Sequence, residues 1–135
     1  MSTHIDQAKE LRSQLKPDGK PLYNCAQAVL CPFANDIGVD EHILYKTAAH
    51  FGGGMKMGSV CGAITGGLMA LGLLGKDDMS ALQKYYAMIK ANHDGLMNCS
   101  DLLRVNAERG GEKMPHCNAM IYECVGYVEE DLTSN

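Results

Sequence analysis

The segment from Gly58 to Gly75 contains no charged residue and is broken up by glycine along its whole length, which narrows what this chain can fold into. Gly62, Gly66 and Ala70 recur at i, i+4 and i+8. On a helix they form a stripe of small residues against which neighbouring helices can pack closely. A membrane span requires about 20 predominantly apolar residues, and this glycine-rich stretch only just reaches that length. The segment is therefore read as a central buried helix, over roughly residues 60–74, in a helical protein.

The flanking sequence supports an all-α fold. Alternating strand patterns and aromatic residues are few, while Ala, Leu, Met, Gln and Lys, which favour helices, are abundant. A first amphipathic helix is expected from about Thr3 to Leu15, with Ile5, Ala8, Leu11 and Leu15 on one face. Asn24 is a suitable N-cap for a second helix that Pro32 kinks or divides and Gly38 closes. Asp40 caps a third helix to about His50, where "FGGG" stops it. Asp77 or Asp78 starts the helix that follows the central one, running to about His93. A short helix follows Asn98, and Pro115 suits the first turn of a last helix reaching about Asp131. The expectation is one domain, residues 1–135, forming a compact bundle of about six to seven helices around the Gly/Ala-rich one.

Composition excludes some functions. The net charge is −4 and the basic residues are scattered, Lys9, Arg12 and Lys16 coming nearest to a cluster. Nucleic acid is thus an unexpected partner, since a phosphate backbone calls for a basic face. The opening "MSTHIDQAKE" lacks the basic and then apolar pattern of a secretory signal, so a cytoplasmic location is expected. No membrane association is expected, and the small-residue face of the central helix makes a homodimer plausible.

Six cysteines in a reducing compartment point away from a disulfide framework and toward metal or redox chemistry. No C-x-x-C motif is present. Against the expected helix boundaries, Cys25, Cys61, Cys99 and Cys117 all fall in first turns, where free N–H groups and the helix dipole favour a thiolate. Cys31 and Cys124 fall deeper in their helices and read as inert core residues.

The segments "NCAQAVL" and "HFGGGMKMGSVCGAITGGLMALGLL", followed by Cys99 and Cys117, resemble the C_GCAxxG_C_C family of redox-active proteins over roughly residues 22–128. The resemblance assigns the family's four defining cysteines to Cys25, Cys61, Cys99 and Cys117. A similar domain occurs in the split-Soret type of cytochrome c, which also carries an iron–sulfur cluster, so the resemblance implies cluster binding here. It does not imply haem, because the chain has no C-x-x-C-H motif.

The leading expectation is a small redox protein with an unidentified redox partner. Its four cysteines would act as catalytic thiols in dithiol–disulfide exchange or as metal ligands of an iron–sulfur cluster. Gly53, Gly54, Gly58 and Gly62 are expected to let the backbone run close to whatever Cys61 holds. The segment lacks the G-K-[S/T] ending of a phosphate-binding P-loop. A second expectation is soft-metal (copper or zinc) binding or trafficking, with Met55, Met57, His50, His93 and His116 as further ligands. A third is a non-catalytic helical interaction module with buried cysteines. No serine, histidine and aspartate set suggests a triad.

Overall fold

The structure, a computed structural model, describes residues 3–133, so the ends of the expected 1–135 domain lie outside the described residues. Among the described residues there are eight α-helices: α1 Thr3–Ser13, α2 Cys25–Leu30, α3 Ala34–Ile37, α4 Glu41–Thr47, α5 Gly62–Leu73, α6 Met79–Asn92, α7 Cys99–Glu108 and α8 Lys113–Thr133. Among the described residues extended pairing is limited to two isolated bridges, Leu15 with Pro21 and Val60 with Asn98. The all-α bundle is as expected, with more helices because the second one is divided. Pro32 sits in a 3₁₀ turn, Cys31–Phe33, between α2 and α3, and Gly38 closes α3 in the left-handed region at φ 85°. Asp40 and Asp78 cap α4 and α6 by accepting from the His42 and Ala81 N–H groups. The first helix stops at Ser13, and Leu15 beyond it is exposed.

α5 runs through the middle, and its glycines set how closely its neighbours approach. A Cβ on Gly66 would lie 2.6 Å from the Ala26 carbonyl oxygen. On Gly62 it would lie 2.7 Å from the Phe51 carbonyl oxygen and 2.9 Å from Cys25 Sγ. On Gly67 it would run into the Tyr85 hydroxyl, which donates to the Ile64 carbonyl at 3.0 Å. The Gly62 and Gly66 positions of the stripe thus bring α2 and the segment after α4 against α5. Burial follows this geometry: Ala26, Ala28, Val29 and Leu30 of α2, Ile64 and Ala70 of α5, and Ile121, Val125 and Val128 of α8 are fully buried. Among the described residues no helix is long and apolar enough to cross a membrane.

Asn24 fixes where α2 begins. Its side chain accepts from the Gln27 N–H while the Gln27 side chain accepts from the Asn24 N–H, both at 2.8 Å, forming a reciprocal capping box. The Asn24 amide also donates to the Ala49 carbonyl at 3.0 Å, and the buried Gln27 amide donates to the Tyr45 carbonyl at 2.9 Å. Two polar side chains therefore tie α2 to α4 with their buried groups satisfied. Gly52 leaves room for this arrangement, since a Cβ there would come within 2.6 Å of the Asn24 Cβ.

A second polar tie joins the first helix to the rest. His4 contacts Glu129 through Nδ1 at 2.6 Å and Asp36 through Nε2 at 2.8 Å, and its ring stacks on Phe33 with centroids 4.4 Å apart. Burial lowers the His4 pKa, but the hydrogen bonds and charges of Asp36 and Glu129 outweigh it, leaving the value raised above 6.5.

Two outcomes are expected. Gly66→Ala places a methyl against backbone, which cannot move aside as a flexible side chain could, and should destabilise the fold by about 1–3 kcal/mol in denaturant titration. An unchanged midpoint would mean that α2 and α5 do not need this contact. For His4, the raised value means that its stabilising contribution is fully present below pH 6.5 and is lost as pH rises through the folded-state pKa. The melting temperature should therefore fall between about pH 6 and pH 9 more in the native sequence than in His4→Gln; equal slopes would remove His4 as the cause.

Candidate functional site

The four cysteines shared with the resemblance come from four separate elements and line one cavity of about 470 Å³. Cys25 is the first residue of α2 and Cys99 the first of α7. Cys61 is the N-cap of α5 rather than part of its first turn. Cys117 lies one turn into α8, because that helix begins at Lys113, two residues ahead of Pro115. The shared first-turn position expected from the sequence thus holds for Cys25 and Cys99 and is corrected for the other two.

Local pairing explains why Cys61 and Cys99 meet. They flank the Val60–Asn98 bridge, in which the Cys61 N–H donates to the Met97 carbonyl at 2.9 Å and the Cys99 N–H to the Ser59 carbonyl at 2.7 Å. This short antiparallel contact holds the starts of α5 and α7 side by side. Cys25 packs against the start of α5, its Sγ lying 2.9 Å from where a Cβ on Gly62 would be. Apolar side chains of Leu102, Leu103 and Met120 also line the cavity.

The glycine-rich segment forms part of the wall. Gly53, Gly54, Met55 and Lys56 have φ of 64°, 64°, 60° and 58°, giving one turn of left-handed backbone. Glycine adopts this region without penalty, whereas Met55 and Lys56 carry a cost of about 1–2 kcal/mol each. Gly52, Gly53 and Lys56 line the cavity. Of the other glycines expected at the site, Gly54 packs against the Ser59 backbone, Gly58 accepts a hydrogen bond from the Ser100 hydroxyl at 3.1 Å, and Gly62 abuts Cys25 Sγ.

The electrostatics reverse the expected activation of the thiols. Burial pushes Cys61 up to about 12, reinforced by Cys25, even though the Ala63 and Ile64 N–H groups favour its thiolate. Burial and then Cys25 also raise Cys99 and Cys117, against the opposing charge of Lys113 on both and of Arg12 on Cys117. These three thiols are therefore protonated at neutral pH. Cys31 and Cys124 are buried, as expected; burial pushes Cys31 up to about 12 and Cys124 well above its ordinary value.

The metal and disulfide expectations do not survive. All six cysteines are free thiols, and among the described residues no three His, Cys, Asp or Glu side chains converge on a position that could hold a metal ion. An iron–sulfur cluster on Cys25, Cys61, Cys99 and Cys117 is thereby corrected, and so is dithiol–disulfide exchange as the mechanism. A metal ion calls for several ligand atoms at one point, about 2.3 Å away for thiolate on zinc, and the four cysteines instead line the wall of a cavity of about 470 Å³. The copper or zinc reading fails with it: His50 is exposed, Met55 and Met57 are 50% and 74% exposed, and His93 is engaged with Glu123 at 2.9 Å. His116 does line the cavity, and burial, followed by the charge of His93, lowers its pKa.

Sequence reasoning missed the charged part of this site. Arg12, Lys16, Lys20, Lys56 and Lys113 line the cavity together with the cysteines. Arg12 is held in place, donating from Nε to Asn118 Oδ1 at 2.7 Å and from Nη1 to the Tyr23 carbonyl at 2.9 Å. These residues are dispersed along the chain, so no local motif announces them. The available signals were the loose grouping of Arg12 and Lys16 and a lysine inside the glycine-rich "GGGMKMG".

A family model described as "Putative redox-active protein (C_GCAxxG_C_C)" matches residues 23–130. No curated protein and no solved structure matches the chain, and the likeness to a split-Soret cytochrome domain gains no support.

The raised thiols make a kinetic prediction. In native protein treated with iodoacetamide and mapped by mass spectrometry, alkylation of Cys99 and Cys117 should still accelerate as pH passes the ordinary thiol value of 9.0. Cys31, Cys61 and Cys124 should be the slowest at every pH. A plateau rate at Cys99 or Cys117 already reached near neutrality would contradict the effect of burial described above.

Proposed function

We propose that this chain, which belongs to the C_GCAxxG_C_C family, is a small-molecule-binding protein whose ligand occupies the cysteine cavity and lies against Cys25, Cys99 and Cys117. The observation that carries this reading is the convergence of cysteines from α2, the start of α5, α7 and α8 on one cavity of about 470 Å³. That volume is within the usual range for small-molecule sites, about 300–1,000 Å³. Protonated thiols are soft, weakly polar groups that donate weak hydrogen bonds and pack against apolar atoms. Beside Leu102, Leu103 and Met120 they form a wall suited to the carbon skeleton of an organic ligand. Six free cysteines suit work in the cytoplasm, where thiols stay reduced.

Methionine methyl groups give a direct test, because Met114 and Met120 line this cavity while Met79 lines a separate shallow cleft beside Leu68, Leu82 and Asp78. In a methyl-labelled sample screened by NMR against a library of neutral and charged organic fragments, bound fragments should shift Met114 and Met120 and leave Met79 in place. A library that shifts neither cavity methionine, or that moves Met79 first, would refute the reading.

A further inference from the structure

We infer that the ligand of this cavity is a small organic anion, a carboxylate or phosphate monoester, whose charged group is held by Arg12, Lys56 and Lys113 with Lys16 and Lys20 at the same wall. This inference rests on the cavity being the ligand site and goes further by naming the ligand's chemistry. The distribution of charge carries it. The protein has a net charge of −4, yet five of its twelve basic side chains line this one cavity and no aspartate or glutamate does. Of the seven basic side chains elsewhere, Lys84 pairs with Asp131, Arg104 with Asp101 and Glu108, and Arg109 with Asp94, while Lys9 and Lys90 lie over the rings of Tyr122 and Tyr86. Among the described residues none of the five cavity cations is in an ion pair.

Arg12 shows that the positive charge is built in rather than accidental. Its guanidinium is half-buried and held by neutral acceptors, the Asn118 side chain and the Tyr23 carbonyl, which fix its direction without neutralising it. A partly desolvated charge without a counterion is unfavourable, and an anion entering the cavity would lessen that cost. Cys61, Cys99 and Cys117 do not supply the counter-charge, because burial keeps them protonated at neutral pH. Lys56 is brought to the wall by a turn in which it and Met55 hold left-handed backbone that glycine would hold without cost. The apolar wall of Leu102, Leu103 and Met120 calls for carbon as well as charge, so an inorganic anion fills only part of the site. A cavity of this size admits one small molecule, not the repeating phosphates of a nucleic acid.

The test is calorimetric titration at low ionic strength with phenyl phosphate, benzoate and the neutral benzyl alcohol, each followed in parallel by the Met114 and Met120 methyl shifts. Phenyl phosphate and benzoate should bind at least about tenfold more tightly than benzyl alcohol, and added salt should narrow the gap. The double variant Lys56→Gln/Lys113→Gln should lose about tenfold in affinity for both anions and little for benzyl alcohol. The control pair Lys84→Gln/Lys90→Gln, away from the cavity, should bind as the native protein does. Anion binding that persists in the Lys56/Lys113 variant, or equal affinity for the neutral probe with the cavity methionines shifting, would overturn the anion inference while leaving the cavity as a ligand site. Failure of every probe to shift Met114 and Met120 would overturn the cavity reading and this inference with it.

Discussion

The cysteine end of the molecule depends on how closely α2 and α5 approach. The Ala26 backbone occupies the space that a side chain at Gly66 would need, and Cys25 Sγ lies within 2.9 Å of where a Cβ on Gly62 would be. The absence of two side chains thus does two things at once. It lets α2 sink into the core, where four of its six residues are fully buried aliphatics, and it seats the sulfur of Cys25 against the start of the central helix. The Asn24–Gln27 capping box then fixes the beginning of α2, so Cys25 is positioned by backbone packing on one side and hydrogen bonding on the other.

Against that frame two electrostatic effects compete, and burial wins. The partial charge at a helix N-terminus is worth about 0.3–1 kcal/mol to an anion at a surface. Removing a thiolate from water costs more when little solvent remains around it, and Cys61 is only 6% exposed. N–H groups at the start of α5 favour its thiolate without reversing the penalty. At Cys61, Cys99 and Cys117 burial thus leaves neutral thiols, and the formal positive charge at the cavity comes from arginine and lysine.

Most of the fold was legible in the sequence because helix signals are local. The cap residues Asn24, Asp40 and Asp78, the break at Pro32 and the close at Gly38 act within a turn of themselves. The small stripe of Gly62 and Gly66 also carried over, since one face of one helix has a fixed period. What the sequence could not convey was distance across the fold. Resemblance and position along the chain selected the same four cysteines, and they do share a cavity, but linear spacing cannot distinguish sulfurs that close on an ion from sulfurs that surround a void. The start of α8 at Lys113, which moved Cys117 out of the first turn, lies within the ordinary uncertainty of a helix end. Basic residues that look scattered over a hundred positions come together only after α1, the left-handed turn and α8 have been packed.

The bond from Arg12 to Asn118 joins the first described helix to the last across 106 positions of sequence. Contacts of such separation form late, because closing a long loop costs entropy before any contact repays it. During synthesis Cys25, Cys61 and Cys99 leave the ribosome before the helix bearing Cys117 can cover them. α8 packs against α2, α5 and α7 and brings Cys117 to the cavity, so the pocket is complete only once the last described helix is in place.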